Sequence, residues 1–232
     1  MFFFDPAILS ALEQPAPYFI EAQLPARHDC RRHRPLTSVD VKIDERPIVY
    51  DNSRSSAQLQ GFQIDTVSPY GADVHTRISG LTEGRIDVSI YANFSVETHP
   101  GTATSCLWFD TVTITVRSAP TVYIASEHNN NRCRYQSTLN HELRHVEVDR
   151  RVVREYAPQM RRAVLDEVYR IGVVGPEPAL RAGVVRAQML ESANAALQRV
   201  VGQMNSVRRT RQQAVDTKAE YDRLSRMCGG KF

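Results

Sequence analysis

From Leu139 to Ile171 the apolar residues Leu139, Leu143, Val146, Val153, Met160, Val164, Val168 and Ile171 keep a three-to-four spacing, which constrains this chain more than any other feature. The spacing predicts one long amphipathic helix, capped at Ser137 or Thr138 and ended by Gly172. Pro158 falls inside it, but the apolar phase runs on past the proline, which predicts a kink rather than a helical hairpin there. Gly172-Val-Val-Gly175-Pro-Glu-Pro178 reads as a turn. A second pattern then runs from about Ala182 to Met227, with Leu190, Leu197, Val201, Met204, Val207 and Val215 on its stripe. Two long helices joined by a short turn must lie antiparallel to bury these stripes.

Ahead of the helices the period is two. Val39-Asp-Val41-Lys-Ile43, Ile86-Asp-Val88-Ser-Ile90, Val112-Thr-Ile114-Thr-Val116 and Val122-Tyr-Ile124 alternate apolar with polar residues, and each reads as an antiparallel strand with one buried face. Arg117-Ser-Ala-Pro120 reads as a hairpin or bulged turn between the last two. The fold class expected is α+β: a small antiparallel sheet packed on the first long helix, with a second long helix returning antiparallel to it. Residues 1–35, with Pro6, Pro15, Pro17, Pro25 and Pro35, read as an irregular arm. Residues 36–232 read as a single domain, mostly β over 36–133 and a helical hairpin over 134–228. The 232 residues, 42% of them hydrophobic, suffice for such a core.

Of 29 basic residues all but Lys42, Lys218 and Lys231 are arginines, and the net charge of +3 is mild. The runs Arg150-Arg151, Arg161-Arg162 and Arg208-Arg209-Thr-Arg211 are spread along the helical patterns as solvated faces are, which argues against a nucleic-acid partner. No stretch has the uninterrupted apolar length of a membrane span. The start Met1-Phe-Phe-Phe-Asp5-Pro6 lacks the basic region of a signal peptide, so an exported form would have had its leader removed or replaced. Cys30, Cys106, Cys133 and Cys228 include no C-x-x-C pair. They fit two disulfides in a periplasmic or secreted protein, or four thiols in a cytoplasmic one. Cys106 and Cys133 flank the last strands and are the pair expected to bridge.

On the first long helix the run Asn140-His-Glu-Leu-Arg-His145 matches the H-E-x-x-H zinc pattern. His141 and His145 lie one turn apart on one face and can share Zn2+ as neutral imidazoles. Glu142 lies beside them, placed to act as general base on a metal-activated water that attacks a peptide carbonyl. A catalytic zinc takes three protein ligands. Asp149 continues the four-residue series but rises too far along a straight helix to ligate, and reads as an outer partner or a surface group. Glu167 would reach the metal only if the chain reversed at Pro158. If the helices turn near residue 178, the level of His141 falls opposite about residue 215, which brings the acidic run Asp216-Thr-Lys-Ala-Glu220-Tyr-Asp222 to the site. The strand Thr121 to Ser126 is best placed to pair with an extended substrate. His128 and Asn129 to Asn131 read as a polar turn.

The order of these features resembles a bacterial family described as predicted secreted zinc-dependent proteases of otherwise unknown function. The resemblance covers roughly residues 49–228. It rests on Tyr50 with Ser55-Ser-Ala-Gln-Leu59, Ser68-Pro-Tyr-Gly71, Cys106-Leu-Trp-Phe-Asp-Thr-Val-Thr-Ile114, Asn140-His-Glu-Leu-Arg-His-Val-Glu-Val148 and Glu220-Tyr-Asp-Arg-Leu-Ser225. The zinc helix is also locally similar to the thermolysin type. The resemblance implies a zincin-like metallopeptidase with His141 and His145 as ligands, Glu142 as base, and the Tyr221-Asp222 segment returning to the site. Where the family has a histidine and glycine after its Tyr-Asp pair, this chain has Met227-Cys228-Gly229. The third ligand expected is then Asp222, with Glu220, Asp216 or Glu167 as alternatives, and Tyr221 is expected to polarise the substrate carbonyl. The partner implied is a peptide or protein substrate. A second reading is a non-catalytic envelope protein that keeps a structural zinc site and binds a partner through its helical hairpin.

Overall fold

The computed structural model describes residues 29–33, 35–62, 66–70 and 77–229. In chain order the elements are β1 (Ser38–Glu45), β2 (Val49–Asp51), α1 (Ser56–Leu59), β3 (Gly80–His99), β4 (Thr104–Ile124), α2 (Arg132–Ile171), β5 (Val174–Pro178), α3 (Ala182–Val215) and α4 (Lys218–Arg226). The class is α+β: one five-stranded sheet covered by two long antiparallel helices. Most of the expected arm, residues 1–28, lies outside the described residues. Of its remainder, Cys30–Arg32 form a short 3-10 turn fastened to β4 through Cys30.

Strand β4 organises the sheet. It pairs antiparallel with β3 along one side, while β5, β1 and β2 lie end to end along the other. The sheet is mixed rather than antiparallel throughout: the Val39–Ile43 strand, expected to be antiparallel, lies in β1, and β1 and β2 both run parallel to β4. The expected turn at Arg117–Pro120 is absent: β4 continues through it to Ile124. Proline is tolerated because β1 pairs up to Ser118 and β2 begins at Thr121, so Pro120 faces the gap between these two neighbours and removes no ladder bond there. Leu107 and Phe109 are odd-numbered, whereas Val112, Ile114 and Val116 are even-numbered, yet all are buried in one core. A register shift between Asn93 and Phe94, opposite Asp110, supplies the extra residue that changes the parity.

Helix α2 runs unbroken through Pro158, as the apolar phase implies, and Gly172 ends it at φ 61°, a left-handed value that glycine adopts without strain. Its start is earlier than expected: the Asn131 side chain caps Arg134 N at 3.1 Å, while Ser137 Oγ instead donates to the Arg134 carbonyl inside the helix. Val152, Val153, Met160, Val164 and Val168 of α2 meet Val185, Met189, Ala193, Leu197 and Met204 of α3 over the buried face of β4. Each valine, leucine and methionine among them contributes about 1.5–3 kcal/mol on burial. The second helical pattern breaks where one uninterrupted run was expected. Helix α3 ends at Val215, and Thr217 starts α4 by accepting Glu220 N at 3.2 Å.

The disulfides are Cys30–Cys106 and Cys133–Cys228, not the expected Cys106–Cys133. Cys106 lies where β4 meets β5, just past the C-terminus of α2, while Cys133 is in the first turn of that helix. The 40 residues of α2 separate them by about 60 Å. Two disulfides fit a secreted protein, and among the described residues no helix is long and apolar enough to cross a membrane.

Candidate metal centre

His141 and His145 project from one face of α2 into the space between α2, α3 and β3, and both are buried. Their Nε2 atoms converge on one oxygen, Asp216 Oδ1, at 3.0 and 3.2 Å. The ligating atoms of the three residues all lie within 4.8 Å of one another. Asp216 arrives there because α3 stops one residue earlier, so its short side chain turns back onto α2 instead of continuing along a helix surface. Although burial works against its charge, hydrogen bonds from His141 and His145 hold the Asp216 carboxyl below the usual carboxylate range.

Asp216, not the expected Asp222, is thus the carboxylate brought to the histidines. One turn into α4, Asp222 points away: it accepts from Tyr70 Oη at 2.6 Å and from Lys218 Nζ at 2.7 Å. Glu220 approaches from behind, its Oε1 3.4 Å from His141 Nδ1, and is gripped by Arg223 and Arg144. The hydrogen bond from Arg223, with Arg144, holds its carboxyl down to about 2. Glu167 pairs with Arg170 about six turns beyond His145 on the same unbroken helix.

The hydrogen bonds around each ring test whether these residues suit a metal: Arg144 Nη2 donates to His141 Nδ1 at 2.8 Å, so the His141 proton sits on Nε2 toward Asp216, where a metal ion would have to displace it. Gln212 Nε2 donates to His145 O at 3.1 Å and to Asp149 Oδ1 at 2.6 Å, which fixes the amide with Oε1 toward His145 Nδ1, 2.5 Å away. That oxygen only accepts, so Nδ1 carries a proton, and the hydrogen bond from Nε2 to Asp216 then needs a second proton on the ring, whose place a metal ion would take. Burial disfavours that second proton, yet the hydrogen bond to Asp216 and the charge of Glu142 outweigh it and push His145 up. Two imidazole nitrogens and one carboxylate oxygen are a donor set suited to a metal with one position left for water. The buried His141–His145–Asp216 group could therefore hold a metal ion.

Glu142, the next residue round the helix from His141, is buried, and burial pushes its carboxyl up against the lowering effect of the two histidines. Thr82 Oγ1 of β3 lies 2.9 Å from its Oε2 and donates to it. This contact depends on close approach of strand and helix. Gly80, Thr82 and Gly84 share one face of β3, and a Cβ at Gly80 would lie 2.5 Å from Thr138 Cγ2 and 2.9 Å from Glu142 Oε1. At Gly84 it would lie 1.8 Å from Asp149 Oδ2. Asp149 is an outer partner, 1% exposed, and is held by Arg208 at 2.6 and 3.2 Å.

Tyr221 of α4 packs edge-on against the His141 ring, with ring centres 5.9 Å apart, and against Tyr70 on its other side. Burial, reinforced by the charges of Asp216 and Glu142, pushes its hydroxyl above the ordinary tyrosine range. A cleft of about 970 Å³ opens over these groups. Its floor is α2, its walls are Ile78 to Arg85 on one side and Thr66 to Tyr70 with Leu224 on the other. The strand bordering it is β3; the expected Thr121–Ser126 segment is flanked over Thr121–Tyr123 by β2 and β3 and offers no free edge there. Among the described residues β3 pairs with no strand but β4, and on its other edge the Gly84 carbonyl is taken by Arg208 Nη2. His128 is buried, Asn129 Nδ2 donates to Asn52 O, and Asn131 is the cap of α2, which is the polar turn expected.

Sequence reasoning missed Thr66, Thr82 and Gln212, gave Tyr70 no role of its own, and read Arg208 as part of a solvated face, whereas its side chain is largely buried against Asp149. Thr66 hydrogen-bonds Asp216. The break at Asp216 had a local signal, because Thr217-Lys-Ala-Glu220 is the S/T-x-x-E pattern that starts a helix. No family model, curated protein or solved structure matches the chain.

Proposed function

We propose that this protein is a zinc-dependent peptidase of the H-E-x-x-H type, with His141, His145 and Asp216 as ligands and Glu142 as general base, acting in the periplasm or outside the cell. The observation that carries the reading is the convergence of His141 Nε2 and His145 Nε2 on Asp216 Oδ1 beside a buried glutamate, at the bottom of a cleft bordered by a strand that among the described residues pairs on one side only. Zinc bound there supplies Lewis acidity toward water and a carbonyl oxygen.

The chain's own residues do the rest. The edge of β3 from Gly80 to Glu83, short of the Gly84 carbonyl that Arg208 holds, aligns an extended peptide by backbone pairing, so the scissile bond lies across the cleft floor. Glu142 takes a proton from the attacking water and returns it to the leaving amine. Thr82 holds the carboxylate in place through Oε2. The Tyr221 hydroxyl, kept protonated by its surroundings, donates to the carbonyl oxygen as negative charge develops. The two disulfides suit the oxidising compartment proposed.

The test is Glu142→Gln, which is nearly isosteric. It should retain one equivalent of zinc and lose peptide cleavage by at least about 100-fold. Retained cleavage would remove Glu142 as the base. Stoichiometric zinc in the natural sequence with no turnover of an extended-peptide library would instead favour the non-catalytic, partner-binding reading.

A further inference from the structure

Helices α2 and α3 meet at the site through a polar ladder with a four-residue repeat on both sides. His141, His145 and Asp149 face Asp216, Gln212 and Arg208: Asp216 contacts both histidines, Gln212 contacts His145 and Asp149, and Arg208 contacts Asp149. Gln212 is the middle rung, 4% exposed, and its amide spends both ends. The oxygen accepts a hydrogen bond from His145 Nδ1, and the nitrogen donates to Asp149 and to the His145 carbonyl. Asp149 is fixed in turn by Arg208, whose Nη2 also donates to the Gly84 carbonyl of β3 at 3.1 Å.

We propose that Gln212 is the positioning residue of this metal centre: held by Asp149 and Arg208, it fixes the orientation and tautomer of the His145 ring so that Nε2 presents its lone pair to the metal. The proposal rests on the metal-site reading above. Three observations argue for it. A glutamine that only filled space would have no need of a charged anchor buried behind it, and Asp149 is 1% exposed. An amide, unlike a carboxylate, accepts from the ring without drawing its proton, which leaves His145 a neutral ligand. And the chain of contacts ends on the Gly84 carbonyl, so the strand bordering the cleft and the ligand ring are held by the same group of side chains.

Two measurements test it. In metal-free natural-sequence protein with labelled histidine, long-range proton–nitrogen correlation at alkaline pH should show His145 with its proton on Nδ1. A proton on Nε2 instead would overturn the proposal whether or not the protein binds metal. Second, Gln212→Met should weaken zinc binding, measured by competition with a chelating dye, by about 10- to 100-fold while the metal-free protein still folds and unfolds in one cooperative transition. Zinc affinity within twofold of the natural sequence in a folded Gln212→Met protein would also overturn it. Should that variant not fold, the tautomer measurement decides alone. A natural sequence that takes up no zinc would defeat the peptidase reading, and the tautomer would still report whether Gln212 sets the ring.

Discussion

Replacing Gly84 with alanine should cost far more than one methyl group suggests. Strand propensity alone predicts a gain of roughly 0.5–1 kcal/mol, because glycine loses more backbone freedom than alanine on folding. The structure predicts the opposite sign. The new Cβ would lie 1.8 Å from Asp149 Oδ2, 3.1 Å from Asp149 Cγ and 2.9 Å from Arg208 Nη2. Asp149 must retreat by more than an ångström, yet it is 1% exposed and tied by Arg208 and Gln212. Relief by backbone shift costs about 1–3 kcal/mol, as overpacking does, and rupture of the buried pair about 3–5 kcal/mol. We expect about 3 kcal/mol, or a fall in thermal midpoint of roughly 6–12 °C for a chain of this size. Urea unfolding followed by circular dichroism measures it. Gly202→Ala serves as control, since nothing lies within 4 Å of a Cβ there and a helix interior should gain about 0.8–1 kcal/mol. A Gly84→Ala protein within about 1 kcal/mol of the natural sequence would refute the packing argument.

Asp216→Ala should lose zinc, whereas Asp222→Ala, which cuts only the Tyr70 and Lys218 contacts, should keep one equivalent; elemental analysis of the purified variants separates the two. Tyr221→Phe should retain zinc and lower kcat by about 10²–10³-fold with little change in KM, as steady-state assay of a cleaved peptide would show. Replacing Cys133 and Cys228 together by serine removes a bridge between residues 95 apart, for which chain entropy gives about 4–5 kcal/mol. Since α4 has no fully buried residue, brief proteolysis should also cut near Tyr221 in that variant and spare the natural sequence; equal resistance would refute this role for the bridge.

The strands and the long first helix were legible because their apolar residues repeat with the period of the element, and Gly172 ends the helix where a stop was expected. Strand β4 was read as two because Pro120 signals a break only if the strand has continuous neighbours on both sides, and here β1 and β2 leave a gap. At the site, His141, Glu142 and His145 were legible from spacing alone, and the level of residue 215 was right to within one residue of Asp216. Asp222 was favoured over Asp216 because the resemblance brings the Tyr221-Asp222 segment to the site, and the break after Val215 that turns Asp216 onto the histidines was not foreseen. The rest of the ladder was hidden by its setting: Arg208, Gln212 and Asp216 continue the buried stripe of Leu197, Val200 and Met204, so an apolar face turns polar midway and drops out of any hydrophobic count.

Cys133 and Cys228 make the helical half of the molecule a covalent ring that contains His141, Glu142, His145, Gln212, Asp216 and Tyr221. A single nick in the exposed connection between α2 and α3 opens the backbone of that ring without freeing either piece. The two halves of the centre then remain one molecule, their reassembly stays unimolecular, and dilution cannot separate them until the disulfide is reduced.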